Sequence, residues 1–367
     1  MENLVLFGGS FDPIHLGHLR IASAASFLLN ADVVFIPSKN PRWKDPAVNI
    51  RHRLNMLRLA INQKGVSGSI ISDFEVKSDT DVNYTIDTIR HFLKKFPHKK
   101  FYLLIGTDQV NKFHQWREPK QISHLVQIIY VSRPGFSVNL ENVTKYKMEK
   151  LDFEESGEVA SKDIRQLKSL DVPSSVLDYI EKHHLYFLDK LKNVLPLKRY
   201  EHSLSVAKLA RRIAFHNRLS LESKAYIAGL LHDLAKGKSK EELVSIMEKE
   251  YPNYLHLPPF AYHQFVGVYL AKDLFNIEDE EILEAIKFHA TGKKEMSVLG
   301  KIIYSADKID PLRQFKSGNL IKKCYRDCQE GFLTVLKANK EYLLSVHKDI
   351  NNELTKACMD YYLTKGD

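Results

Sequence analysis

The chain has little cysteine. Cys324, Cys328 and Cys358 are its only three, all within the last fifth of 367 residues. So few, and so close together, they exclude a disulfide framework. Cys324 and Cys328 also lack the second pair of a metal site, so all three read as ordinary helix positions. Long apolar runs are missing too, and nothing in the sequence has the length of a bilayer span. The opening MENLVLFGGS has no basic flank before its apolar segment, unlike a secretory leader. A soluble, cytoplasmic protein with no membrane partner is expected. Internal repeats and low-complexity segments are absent. Acidic residues are outnumbered, 45 Asp and Glu against 54 Lys and Arg, which suits an anionic ligand. The basic residues are spread along the whole chain and no nucleic-acid recognition module is visible, so nucleotides rather than nucleic acid are the expected anions. A nucleic-acid-binding protein is the rival class and would show salt-sensitive binding.

What is present is enough chain for two cores. Up to about residue 135, short apolar runs alternate with helical patterns. The runs 3–7, 33–36, 69–76, 101–105 and 126–131 predict strands, several of them apolar at consecutive positions, as in a parallel sheet buried on both faces. Helices are predicted at about 15–29, 50–63, 84–95 and 118–124. The alternation predicts a doubly wound, Rossmann-like α/β domain with a parallel sheet. From about residue 197 only amphipathic helical patterns remain, as in Ile227, Leu230, Leu231 and Leu234, and an all-α second domain is expected. Pro196 precedes a new helix, and the join is placed near 190, giving domains 1–189 and 190–367. Composition leaves a homo-oligomer open.

The stretch LVLFGGSFDPIHLGHLRIA, residues 4–22, concentrates unusual residue types. A buried strand ends at Phe7, Gly8 and Gly9 allow close ligand approach, and Pro13 precedes a helix starting near His15. Free amides and the positive helix end then face the carboxyl edge of the sheet, where nucleotides bind in such folds. His15 and His18, at i and i+3, share one face of that first turn and would meet phosphate oxygens.

This stretch resembles the GSFDPxHxGH signature of nucleotidyltransferases. The resemblance to bacterial nicotinate-nucleotide adenylyltransferases continues across about 1–188 through IPSKNPRWKD, NYTIDTI, LLIGTDQV, HQW, SRPGF, SKDIR and VPSSVLDYIEKHHLY. It implies transfer of AMP from ATP, carried with Mg2+, to nicotinate mononucleotide, giving nicotinate adenine dinucleotide and pyrophosphate. It implies His15, His18, Lys44 and Arg165 at the phosphates and transition state. Alignment and charge stabilisation suffice there, because the attacking phosphate is already anionic. Gly8, Gly9, Ser10, Phe11, Gly106, Asp108, Arg133 and Ser161 are implied on the nucleotide; a helix N-cap is the other reading of Asp108. Thr85 and Trp116 are implied at the nicotinate carboxylate and ring, with partly buried packing the other reading of Trp116. Related transferases with the same core use phosphopantetheine or glycerol derivatives, so the acceptor assignment rests on NYTIDT and HQW. Where the family has ISSTxIR this chain has VASKDIR, and Ala160 and Lys162 replace two hydroxyls.

Two hundred residues on, the pair His232–Asp233 ends an apolar helical pattern. Imidazole and carboxylate are awkward there unless a cation compensates them. Neutral imidazoles and carboxylates suit iron, manganese or zinc, and several helices can converge such ligands on one centre. His202 before the pair, then His263, His289 and Asp307 after it, complete an ordered series. That series resembles the HD superfamily of metal phosphohydrolases. Across about 194–340 it is similar to the subgroup that splits diadenosine tetraphosphate symmetrically into two ADP, through RYEHSLSVA, AGLLHDLAK, AIKFHATG and SADKIDPLR. The resemblance implies His202, His232, Asp233 and Asp307 as ligands of iron or another divalent transition metal. It implies Arg199, His263, His289 and Arg313 at a second metal or the polyphosphate. The family commonly places Gly after its equivalent of His263; Gln264 stands there in this chain. His183, His184 and His256 fit no such series and read as surface or packing residues. A different nucleotide substrate, or a nucleotide-sensing module that regulates the transferase, is the alternative for this half. The implied partners are thus ATP, nicotinate mononucleotide and diadenosine tetraphosphate.

Overall fold

The computed structural model describes residues 2–39, 46–64, 66, 68–78, 83–132, 137–153, 159–313, 317–348 and 350–364. The chain divides into two compact units. Met1–Arg165 with Ser169–Tyr186 form the first, and Phe187–Asp367 with the short stretch Gln166–Lys168 form the second. The helix Phe187–Val194 runs across position 190 and belongs whole to the second unit.

The first unit is a Rossmann-like α/β domain. Its strands are β1 (Asn3–Gly9), β2 (Ala31–Pro37), β3 (Ile70–Ile71), β4 (Lys100–Gly106), β5 (Gln127–Val131) and β6 (Glu149–Lys150). They form one parallel sheet in the order β3-β2-β1-β4-β5-β6. Leu4, Val5 and Leu6 are all buried, as expected of a strand covered on both faces. Leu4, Leu6, Val34, Ile36, Leu103 and Ile105 share one core with Ile86, Ile89 and Phe92 of the helix Thr85–Lys95. Sheet order reverses between β1 and β4, and such a switch opens a crevice at the carboxyl ends of the strands.

The strand expected at 69–76 is corrected to two residues, Ile70–Ile71, followed by a short helix Phe74–Lys77. Ser72 and Asp73 explain the break. The Phe74 amide donates to the Ser72 hydroxyl at 3.2 Å and the Lys77 amide to the Asp73 carbonyl at 2.9 Å, so local turns replace the ladder. The strand β6, whose sequence is Glu-Lys, carried no apolar signal at all.

The second unit is helical, with no strand among its described residues. Pro196 caps the helix Leu197–His216, as its fixed φ permits. That helix packs against Glu222–Leu231 at Gly229, where an added Cβ would lie 2.8 Å from the Ala207 Cα. Any side chain at Gly229 would separate the two helices that carry His202 and His232. Cys324, Cys328 and Cys358 are buried, free helix residues, as expected. Among the described residues, no helix is long and apolar enough to cross a membrane.

Candidate active sites

In the first unit, β1 delivers Gly8 and Gly9 to the carboxyl edge beside Ile36 and Pro37 of β2. The chain then turns sharply. Phe11 adopts a left-handed φ of 46° and its ring is buried against Phe7 and Phe35, at 5.5 and 5.7 Å between centroids. A Cβ on Gly9 would lie 3.0 Å from that ring, so any larger residue there would require the buried Phe11 ring to shift. The buried aromatic anchors the loop, leaving its backbone at the sheet edge. His15 caps the helix Leu16–Leu28 in extended geometry, and its amide donates to His18 Nδ1 at 3.4 Å. The two imidazoles lie side by side, 3.7 Å between centroids, His15 buried and His18 half-buried.

The loop is braced from behind. Ser161 donates to the Pro13 carbonyl at 2.9 Å, and Arg165 to the Asp12 carbonyl at 2.6 Å. The buried Asp12 carboxylate accepts from the Ala47 amide at 2.6 Å and the Tyr186 hydroxyl at 2.8 Å. At VASKDIR, the Ala160 amide donates to Asp163 at 3.1 Å, which starts the helix Ser161–Arg165 without the missing hydroxyls.

A cavity of about 310 Å³ opens at the same edge and brings together Gly8, Gly9, Ser10, Thr85, Asp108 and Trp116. Thr85 begins the helix Thr85–Lys95, where amides lack intrahelical acceptors. Gly106, not Asp108, is the N-cap of the helix Thr107–Lys112, which corrects the capping alternative; Asp108 sits in the first turn and faces the cavity. Trp116 is half-buried, its ring 5.0 Å from Phe113 at 40°, so it packs and lines the cavity at once. His15, His18, Phe11, Arg165 and Ser161 are not among the residues that line this cavity. Lys44 and Arg133 lie outside the described residues.

Sequence reasoning missed Arg53 and Glu75. Arg53 is buried on the helix Ile50–Lys64, in register with Met56, Leu57 and Ala60. An arginine on the apolar stripe was the available signal. Glu75 lines the cavity and accepts from the Thr88 hydroxyl at 2.8 Å; burial pushes its carboxyl above the usual range, with the Thr88 bond opposing.

In the second unit, five segments converge on one buried centre. The helix Leu197–His216 carries His202, and His232–Asp233 follow the helix Glu222–Leu231. His263 opens Tyr262–Phe275, His289 follows Glu280–Lys287, and Asp307 lies near the end of Val298–Lys308. Asp233 is the hinge of the arrangement. Its Oδ2 faces His232 and His202 at 3.7 and 3.9 Å, while its Oδ1 faces His289 and His263 at 3.5 and 3.7 Å. Asp307 Oδ1 lies 3.2 Å from His202 Nε2 and 3.6 Å from His232 Nε2. Arg199 reaches Asp233 at 3.2 Å, Lys308 reaches Asp307 at 2.9 Å, and Arg313 donates to Asp307.

The donor set fits a cation. Nδ1 of His232, His263 and His289 faces the carbonyls of Gly229, Phe260 and Ile286 at 2.7, 2.6 and 2.8 Å. A carbonyl only accepts, so each Nδ1 donates to it and each Nε2 is left facing the centre. Three overlapping groups of possible ligands result: His202, His232 and Asp233; His232, His289 and Asp307; Asp233, His263 and His289. His232 Nε2 is fully buried and has no hydrogen-bond partner, as a ligand atom would be before its cation is counted. Burial holds His263 and His289 below the ordinary imidazole range, hence neutral. Burial would raise Asp233 and Asp307, but His232 beside the first and Lys308 and His202 beside the second hold both carboxylates well below their usual range. His202 is pushed up to about 9: burial opposes protonation, and the bonds to Asp307 and Asp310 outweigh it.

Two further residues complete the picture. Gln264, which follows His263, accepts from the Ala290 and Thr291 amides at 3.3 Å and donates to the Thr291 hydroxyl at 3.1 Å, pinning the turn after His289. Asp310, missed by sequence reasoning although it lies within SADKIDPLR, is fully buried against His202. In the first unit His183 packs on Tyr179, and in the second His256 pairs with Glu353 at the surface.

Residues 6–193 match the cytidylyltransferase-like family, and residues 199–312 match the HD domain. A Mycoplasma genitalium protein named "Probable nicotinate-nucleotide adenylyltransferase/Ap4A hydrolase" is 33% identical over 362 residues, covering 95% of this chain and 99% of its own length. A Mycoplasma pneumoniae protein of the same name is 29% identical over 363 residues, covering 94% and 100%. A crystal structure of a "predicted HD superfamily hydrolase involved in NAD metabolism" from Clostridium acetobutylicum is 34% identical, covering 48% of this chain and 95% of that one, with a TM-score of 0.43. With a glycine-led nucleotide crevice in one unit and a buried His/Asp centre in the other, matched along nearly its whole length, this chain belongs to the two-domain family named as nicotinate-nucleotide adenylyltransferase/Ap4A hydrolases.

Proposed function

We propose that the protein is bifunctional: the first unit transfers AMP from ATP to nicotinate mononucleotide, and the second hydrolyses diadenosine tetraphosphate symmetrically to two ADP. For the first unit, one cavity supports the reading, because it joins the backbone of Gly8, Gly9 and Ser10 to Thr85 and Trp116. The anionic phosphate of the acceptor attacks the α-phosphorus of ATP, a new P–O bond forms, and the bond to pyrophosphate breaks. Negative charge moves onto the leaving pyrophosphate, and His15, His18, Lys44 and Arg165 stabilise it. Phe11, Gly106, Asp108, Arg133 and Ser161 position the nucleotide, with Mg2+ accompanying ATP. The amides at Thr85 hold the nicotinate carboxylate and Trp116 stacks on the ring.

For the second unit, the two-faced Asp233 supports the reading, since each oxygen addresses a separate pair of imidazoles. His202, His232, Asp233 and Asp307 would hold a divalent transition metal such as iron, and His263 and His289 a second one. When bound, such a metal supplies Lewis acidity and lowers the pKa of water. Arg199 and Arg313 carry the charge that binds the polyphosphate.

Product analysis on the full chain tests both halves. With ATP, nicotinate mononucleotide should be preferred over nicotinamide mononucleotide and phosphopantetheine; preference for phosphopantetheine overturns the first assignment. With Fe2+ or Mn2+, diadenosine tetraphosphate should yield ADP alone; AMP with ATP, or metal bound without turnover, overturns the second.

A further inference from the structure

The four histidines of the second unit are not oriented in the same way. His232, His263 and His289 each face the carbonyl three residues earlier, at Gly229, Phe260 and Ile286. All three stand where a helix begins or has just ended, so those carbonyls are within reach. His202 lies in the middle of the helix Leu197–His216, where the preceding carbonyls are engaged in the helical ladder. Its Nδ1 reaches instead across 108 positions of sequence to Asp310 Oδ2, at 2.6 Å. The opposite nitrogen, Nε2, faces Asp307 Oδ1 at 3.2 Å. One imidazole is therefore held between two carboxylates from one turn of chain.

Asp310 is itself fixed. It is completely enclosed, and its Oδ1 accepts from the Ser205 hydroxyl at 2.5 Å and the Leu312 amide at 3.3 Å. Oδ2 is thereby left to His202. A carboxylate behind a ligating imidazole fixes its tautomer and raises its basicity, more than a neutral carbonyl does, and burial leaves that charge poorly screened.

We propose that Asp310 is a positioning residue of the metal centre: it holds the Nδ1 hydrogen of His202, turns Nε2 toward the centre beside Asp307, and makes His202 the strongest donor of the four imidazoles. The inference rests on the reading of the His/Asp cluster as a metal site.

Mn2+ binding to the full chain, with Asp310→Asn, Asp310→Ala and Ser205→Ala, tests it. Asp310→Ala should weaken Mn2+ binding by roughly 10- to 100-fold. Asp310→Asn should fall between it and the parent, because its carbonyl accepts the same hydrogen without the charge; Ser205→Ala should cost less than either. Visible absorption of the Co2+-loaded protein should shift in Asp310→Asn, a change that loss of packing alone does not give. If Asp310→Ala does not fold, Asp310→Asn decides. Parent-like Mn2+ affinity and an unchanged Co2+ spectrum in Asp310→Asn would overturn the inference, as would Mn2+ loss matched by loss of helical circular dichroism. Failure of the parent chain to bind Mn2+ or Co2+ is a separate result, which overturns the metal-site reading and this inference with it.

Discussion

The buried Arg53 guanidinium donates to the Ser10 carbonyl at 2.8 Å, and through the same nitrogen to the Ser38 carbonyl at 2.8 Å. Its second terminal nitrogen donates to Lys39 at 3.0 Å. One side chain thus ties the segments that follow β1 and β2, at the edge where the nucleotide crevice opens. Burial pulls the Arg53 pKa down and Asp12 pulls it back, and an arginine so held remains charged.

Replacing Arg53 with Met should therefore destabilise the first unit by about 3 kcal/mol, because three carbonyls lose a charged donor. Transferase kcat should fall with it. Arg53→Lys keeps the charge but not the planar fork and should be intermediate. Denaturant unfolding and steady-state rates check this, and an Arg53→Met chain matching the parent in both would sink it.

Trp116 is the acceptor platform in the proposed reaction. Trp116→Ala should raise KM for nicotinate mononucleotide by about 10-fold, equivalent to ~1.4 kcal/mol of stacking. The KM for ATP should hardly move, and Trp116→Phe should retain most of the affinity. Equal increases in both KM values would show that Trp116 only packs against Phe113.

Glu75 gives a pH signature. Its folded-state pKa is raised, chiefly by burial, so the folded chain holds this proton more tightly than the unfolded chain does. Its contribution is full below the unfolded value of about 4.5 and is lost as pH rises through the raised folded value. Glu75→Gln removes that loss. The Tm difference between Glu75→Gln and the parent should grow in favour of the variant between pH 4.5 and 7.5. A difference independent of pH, or one of opposite sign, refutes the assignment.

Metal binding should stabilise the second unit selectively. At a free metal concentration about 100 times Kd, the gain is ~2.7 kcal/mol. Calorimetry with and without chelator should show this in the parent chain. Asp233→Asn should abolish the gain, because each of its oxygens faces a different imidazole pair. Retention of metal stabilisation in Asp233→Asn would contradict the reading of Asp233 as a ligand.

Much of the fold was legible because its signals are local. The consecutive burial of Leu4–Leu6, the glycines before the first helix, and the helical periodicity after Pro196 all operate over a few residues. Apolar composition past Ile71 suggests a strand as far as 76, but the Ser72 hydroxyl and the Asp73 carbonyl turn the backbone into a helix. The place of Asp108 after a strand suggests an N-cap, yet Gly106 occupies that position two residues earlier.

Periodicity and motifs read along the chain were enough for the two units, for most of the element order, and for the residue kinds at each site, but not for β6 or the short helix after Ile71. Tertiary structure alone decided which groups support the site residues. Arg53 beneath Ser10, Tyr186 on Asp12, Glu75 on Thr88 and Asp310 behind His202 pair residues as much as 174 positions apart. Those pairings arise because a buried charge must find a partner wherever packing brings one, and that requirement leaves no spacing rule in the sequence.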